Sequence, residues 1–189
     1  MSRLVCIDPG FDGTGVAIFR VRPCASLLVG TALPHLRHVE TIATPTEMRF
    51  APRLAALQGR LEGVLRREFD NMVHSELELE DQLTVLVEEP AIANVYRERE
   101  GRQHGVRPLN AVSMSKFWSA YGVVAATVAA YPHSFVRARM KKEEKRAIVA
   151  AAVMRFPARE GVLPLVRKLN QDEVDAIALG LLWDGWRTV

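Results

Sequence analysis

Arg3-Leu4-Val5-Cys6-Ile7-Asp8-Pro9-Gly10 is a short apolar run that ends on a carboxylate and turns at once through Pro-Gly. Such a run, bounded by turn residues, reads as a buried strand. Its counterpart is Leu83-Thr84-Val85-Leu86-Val87-Glu88, the most strand-like run in the chain, which also ends on an acid. Around the first run, Asp12-Gly13 marks a second turn, and residues 14–21 and 37–43 alternate as strands do. Residues 23–34 read either as a short strand or as an extended hairpin tip. Phe50, Leu54, Leu57, Leu61, Val64, Leu65 and Phe69 recur at steps of three and four, the period of one helix face, with Pro52 in the first turn. Further helices are expected over 110–130, with Phe117, Tyr121, Val124 and Val128 on one face, over 141–156 and over 170–183. A short strand is expected at 134–139. In the order β-β-β-α-β-α-β-α-α, three strands come first, two of them joined by tight turns, and the later alternation of strands with helices implies parallel pairing through helical crossovers. The expected class is α/β, a mixed sheet flanked by helices, with residues 1–189 forming a single domain.

Composition narrows the function classes. Hydrophobic residues make up 49% and charged residues 25%, which excludes a disordered, collagen-like or disulfide-scaffold chain. No run of 18 apolar residues is present, so no membrane span is expected. The N-terminus reads as a first strand and not as a signal peptide. Cys6 and Cys24 are too few for a disulfide framework, which makes a reducing cytoplasm the expected location. The formal net charge is +3, and 20 of the 25 basic residues are Arg. Arg contacts phosphate bidentately where Lys cannot, which suits a nucleic-acid partner; a compositional habit of the source is the competing explanation. Residues 74–82, His-Ser-Glu-Leu-Glu-Leu-Glu-Asp-Gln, read as a solvated acidic connector.

Four acids carry the chemical reading. Asp8 and Glu88 each end a strand. If those strands are parallel neighbours, both carboxylates emerge at the carboxyl edge of the sheet, where ligands of open α/β sheets bind. Glu89 adjoins Glu88, but alternation sends neighbouring side chains to opposite faces, and Glu89 lies next to the turn marked by Pro90; Glu88 is therefore preferred. Asp172 and Asp175 open the last helix, with Asn170 as a candidate N-cap and Glu173 as its capping-box partner. At about 100° per residue, Asp175 falls inside the apolar stripe of that helix, Asp172 at its border and Glu173 on the far side. Acids in a first turn are favoured by the helix dipole, which accounts for Asp172 and Glu173. A carboxylate on a buried face must be paired or bind a cation, and no Lys or Arg lies one turn from Asp175. Carboxylates converging on one point repel one another. A hard divalent cation, Mg²⁺ or Mn²⁺, removes that repulsion.

Val5-Cys6-Ile7-Asp8-Pro9-Gly10 with Thr14-Gly15, then Val85-Leu86-Val87-Glu88, then Asp172-Glu173-Val174-Asp175-Ala176-Ile177-Ala178 resemble, in this order, the motifs of RuvC-type Holliday junction resolvases in the RNase H-like superfamily. The match runs from residue 3 to residue 183. The resemblance implies an RNase H-like five-stranded mixed sheet, a homodimer, and cleavage of four-way or other branched DNA in recombination and repair with two Mg²⁺ (or Mn²⁺) ions per active site. It assigns metal ligation to Asp8, Glu88, Asp172 and Asp175. Lys145 is similar in position to a basic residue that the family keeps before its penultimate helix, with Lys141 and Lys142 competing for that role. Two departures stand out: the 22–43 region is longer than usual, and residues 89–96 bring an aromatic later after the acid than the family tends to.

The stretch from Tyr96 to Arg107 follows the strand that ends at Glu88. Its Tyr96, Arg97, Arg99, Arg102, His104 and Arg107, with Gly101 and Gly105 as hinges, form a basic loop expected to reach the DNA, with Tyr96 stacking at the junction centre as the resemblance implies. Arg139, Lys141 and Lys142 extend the DNA-binding set. The helix over 110–130 carries Phe117, Trp118 and Tyr121 together with Ala120, Gly122, Ala125, Ala126 and Ala129, which makes it the expected dimer element or a cover for the sheet. The competing functions are a catalytically silent RNase H-like module that binds nucleic acid, and an actin- or sugar-kinase-like phosphotransferase using Asp8-Pro9-Gly10 and Thr14-Gly15 as a phosphate loop. The latter needs two large lobes.

Overall fold

A computed structural model describes residues 2–21, 34–73, 83–89, 111–137, 140–153 and 169–182. The elements run β1 (Ser2–Asp8), β2 (Gly13–Val21), β3 (Pro34–Ala43), α1 (Phe50–Val73), β4 (Leu83–Glu88), α2 (Ala111–Val128), β5 (His133–Val136), α3 (Lys142–Val153) and α4 (Gln171–Leu181). The five strands form one sheet in the order β3-β2-β1-β4-β5. β1 is antiparallel to β2, and β2 to β3, whereas β1, β4 and β5 are parallel. The mixed sheet and the element order are those expected from the sequence. Differences lie at the ends: β3 starts at Pro34, β5 stops at Val136, α2 stops at Val128 and α4 stops at Leu181.

Alternation along the strands sorts the core into two layers. Val5, Ile7, Val16, Ile18, Ile42, Val85 and Val87 pack under α1 and α2, meeting Leu57, Leu61, Leu65, Val124 and Val128. Leu4, Cys6, Ala17, Phe19, Leu36, Val39 and Leu86 pack under α3 and α4, meeting Val149 and Ile177. A register shift between Ile18 and Phe19 pairs them with His38 and Leu36 and skips Arg37. The extra residue restores the phase of β3, so that Leu36 and Val39 share one face despite odd spacing.

Two sequence expectations change here. On α2 the buried residues are Ala120, Val124, Thr127 and Val128, whereas Phe117 and Tyr121 are only partly buried. Their rings instead join Trp118, Phe135 and His133 in an edge-to-face and tilted series over edge strand β5. On α4 the expected far-side Glu173 is fully buried. The helix is covered on almost every side, and Glu173 turns back to accept from the Asn170 N–H at 3.2 Å while Asn170 accepts from the Glu173 N–H at 2.9 Å, the expected capping box. Asn170 also donates to Thr41 Oγ1 at 2.7 Å, fixing the start of α4 against β3. Among the described residues no helix is long and apolar enough to cross a membrane.

Candidate active site

Parallel pairing of β1 with β4 sets Ile7 beside Val87, so Asp8 and Glu88 follow at the same edge of the sheet. Parity then fixes their direction. Asp8 continues the Leu4–Cys6 series and Glu88 continues from Leu86, all on the face covered by α3 and α4. Glu89 leaves this site and pairs at its edge with Arg137 at 3.5 Å. The two helices supply the rest. Lys145 of α3, only 7% exposed at its side chain, donates to both oxygens of Glu88 at 2.8 and 3.0 Å. Its Nζ also stands 3.0 Å from Asp175 Oδ1 of α4, an ion pair that falls short of hydrogen-bond alignment. The cation absent from Asp175's own helix is thus delivered by its neighbour. Lys141 and Lys142 are exposed, and of the three lysines Lys145 is the one buried against these carboxylates.

The other oxygen of Asp175 accepts from Gln171 Nε2 at 3.0 Å, and the Gln171 amide oxygen accepts from Arg146 Nε at 2.9 Å. Arg146 therefore orients the amide so that its NH₂ faces the carboxylate. Asp172 lies at the border, where its carboxylate packs on Gly13: a Cβ built there would stand 2.5 Å from Asp172 Oδ2. At Gly15 a Cβ would collide with the main-chain oxygen of Asp172. Glycine at both positions lets the first turn of α4 rest directly on β2.

The electrostatics show an unbalanced site. Burial, with added repulsion from Glu88 and Asp175, pushes the Asp8 carboxyl up to about 8 despite Lys145. Burial also raises Glu88, against the opposing effect of Lys145. Asp172 is raised by burial and then by Asp175 and Glu173, with Lys142 opposing. Burial disfavours the Lys145 ammonium, but its hydrogen bonds to Glu88 and the negative charge of Glu88 and Asp175 outweigh this and raise it. The one buried ammonium, Lys145, faces three carboxyl groups, and the fourth, Asp172, has the exposed Lys142 acting on it.

These residues suit a hard divalent cation in donor type and in charge. Asp175 Oδ1 is buried without a hydrogen-bond partner, and Asp8 is driven towards protonation by burial and then by the carboxylates around it. They do not form a closed cage: among the described residues no three acidic, histidine or cysteine groups stand together as a ready metal-binding set, and Lys145 lies between Glu88 and Asp175. Tyr96, Arg97, Arg99, Arg102, His104, Arg107 and Arg139 lie outside the described residues. Gln171, Arg146 and the buried Arg53 were missed in the sequence. Arg53 left a signal, being a charged residue in phase with Phe50 and Leu57 on the apolar face of α1.

No family model matches the chain, and no curated protein does. Solved structures do. RuvC of Thermus thermophilus aligns over 95% of this chain and 91% of its own, with TM-score 0.56 and 19% identity. The fold is that of RuvC. RuvC of the same organism in complex with its Holliday junction substrate aligns over 95% of this chain and 90% of its own, again with TM-score 0.56 and with 21% identity. The RNase H-like sheet flanked by helices is therefore shared with RuvC along nearly the whole of both chains, at a sequence identity that speaks for the architecture alone.

Proposed function

We propose that this protein is a metal-dependent, structure-selective DNA endonuclease of the Holliday junction resolvase type, a single nuclease domain over residues 1–189 acting as a homodimer in the cytoplasm. The observation that carries the reading is the group formed by Asp8, Glu88 and Asp175 around Lys145, with Asp172 beside it, at the carboxyl edge of a RuvC-like sheet. In one of the similar structures RuvC is in complex with a Holliday junction substrate; the same substrate class is the proposal here.

Asp8, Glu88, Asp172 and Asp175 would hold two Mg²⁺ or Mn²⁺ ions, whose chemistry is the activation of water and stabilisation of the leaving oxygen in phosphodiester hydrolysis. Lys145 retains its proton and sets positive charge beside Glu88 and Asp175, where a scissile phosphate gains negative charge. Lys141 and Lys142 are exposed at the start of α3, and Lys142 acts electrostatically on Asp172, which suits phosphate contacts next to the site. Arg139 and the 96–107 segment, with Tyr96 at the junction centre, complete the proposed DNA contacts. Two symmetric nicks in a near-twofold junction need two sites related by a dyad. α2 is the proposed dimer element: Ala120 is core, whereas Trp118, Gly122 and Ala126 are exposed on the helix and Ala129 is exposed in the turn just after it.

The competing reading is a catalytically silent nucleic-acid-binding module, and the Lys145 bridge favours it, since it partly satisfies the carboxylates without a metal. Incubating the protein with four-way junction, bubble, flap and duplex DNA in Mg²⁺ or Mn²⁺ separates the two. Symmetric nicking of the junction, abolished by EDTA, is expected. Tight junction binding with no cleavage in either metal assigns the silent module.

A further inference from the structure

Arg53 is a buried charge for which the proposed chemistry has no use. It enters from the first turns of α1 and is 6% exposed. Its Nε donates to Thr44 Oγ1 at 3.0 Å, and its Nη2 donates to Asp12 Oδ1 at 2.7 Å and to Thr44 O at 3.3 Å. The guanidinium carbon lies 4.2 Å from the centre of the Phe11 ring, which stacks on Phe50 at 5.2 Å. Thr44 passes the restraint on: its hydroxyl donates to Phe11 O at 2.9 Å, and its N–H reaches Asp12 O at 3.5 Å. Every one of these bonds ends on residues 11–12 or on the threonine that grips them.

Residues 11–12 lie in the turn between Asp8 and Gly13. The turn is also tied from within, since Thr14 Oγ1 donates to Gly10 O at 2.9 Å. Its far end, Gly13, is the surface on which the Asp172 carboxylate rests. A shift of the turn moves the end of β1 and the seat of Asp172 together.

We infer that Arg53 is a positioning residue for the carboxylate site: through Thr44, Asp12 and Phe11 it fixes the turn that sets Asp8 and Asp172 relative to each other. The inference rests on the metal-dependent reading above.

Charge and geometry predict opposite signs here. Removing the guanidinium leaves Asp12 unpaired near Asp172, and the extra negative charge alone strengthens cation binding. Loss of the turn's geometry weakens it. The test is calorimetric titration of Mn²⁺ into the full chain, wild type against Arg53→Met, Arg53→Lys and Thr44→Val, with circular dichroism confirming the fold and junction affinity measured in EDTA. Arg53→Met is expected to bind Mn²⁺ at least about tenfold more weakly at junction affinity within about twofold of wild type, a loss of the size seen for outer-shell partners of metal sites. Arg53→Lys keeps a charge for Asp12 but cannot hold both Thr44 contacts, so it should recover only part of the loss. Thr44→Val keeps the guanidinium, removes the bridge to Phe11 O and carries the test if Arg53→Met does not fold; a several-fold weakening is expected. Unchanged or tighter Mn²⁺ binding in folded Arg53→Met, or in Thr44→Val if Arg53→Met does not fold, overturns the inference. So does full recovery by Lys. A wild-type protein that binds no Mn²⁺ and cuts no junction overturns it together with the metal-dependent reading, whereas a failure confined to the variants leaves that reading standing.

Discussion

The sheet buries charge at both of its ends, with opposite balance. At the start of β1, Arg3 donates to Glu68 Oε2 at 2.7 Å and to the Glu68 and Asn71 carbonyls at 3.3 Å. The last turn of α1 carries no basic residue of its own, so Arg3 supplies its positive charge from the neighbouring strand. Side-chain exposures of 8% and 13% show a closed pair, to which the half-exposed Arg67 adds a looser contact at 3.9 Å from the other Glu68 oxygen. At the other end of β1, Asp8, Glu88 and Asp175 share Lys145, and Asp172 stands beside them with the exposed Lys142 acting on it. A balanced buried pair fastens helix to sheet. An unbalanced cluster is held in place by the rest of the fold, and its surplus negative charge favours a further cation.

The sharpest way to break this contrast is to neutralise the unbalanced end. Asp8→Asn and Asp175→Asn should each lower junction cleavage more than about 100-fold, the upper end of what outer-shell partners of metal sites contribute, while junction binding is kept or tightened as negative charge leaves. Gel-based cleavage and binding assays read both, and near-wild-type cleavage in either variant removes the carboxylates from the chemistry. The balanced end should behave in the opposite way. Arg3→Ala leaves the buried Glu68 charge with only the looser contact of the half-exposed Arg67 and should cost about 3 kcal/mol, roughly 6–12 °C in Tm for a chain of this size, with cleavage per folded molecule unchanged.

A third expectation concerns pH. A carboxyl raised to about 8 in the folded state keeps a proton that the unfolded chain has shed above about pH 4. Asp8 therefore makes the metal-free protein lose stability as pH rises from about 4 to about 8, and adds no further slope above that. Thermal melts in EDTA should show this slope in the wild type and a shallower one in Asp8→Asn, which should melt several degrees higher than wild type at pH 8. Equal slopes would mean that Asp8 is not the strained group. The smallest effect belongs to Glu89. Its pair with Arg137 is about half exposed, and such pairs contribute about 0–1 kcal/mol. Glu89→Gln should change cleavage less than about twofold, and a loss comparable to that of Asp8→Asn would reverse the choice of Glu88.

What the sequence determined on its own was local and periodic. β4 ran over the expected six residues, 83–88, because its apolar side chains leave no other use for them and Pro90 closes the run. The Asn170–Glu173 capping box was legible because both partners lie within one helical turn. The direction of Asp8 and Glu88 followed from counting side chains along a strand. Tertiary structure decided what crosses between elements. Lys145 reaches Asp175 because α3 packs on α4, an encounter 30 residues apart that no local spacing encodes. Glu173, expected on the outer face of its helix, is buried because α4 is enclosed by the sheet and by α3, and a helical wheel assumes only one covered side. Arg53 stood in the apolar phase of α1 as a visible exception, but its partners Asp12 and Thr44 come together only when β1, β2 and β3 are folded beneath it. Periodicity reports which side of an element is dry. Which charges meet on that side depends on the pairing of distant segments, and this is settled only when the whole sheet and its two helical layers close.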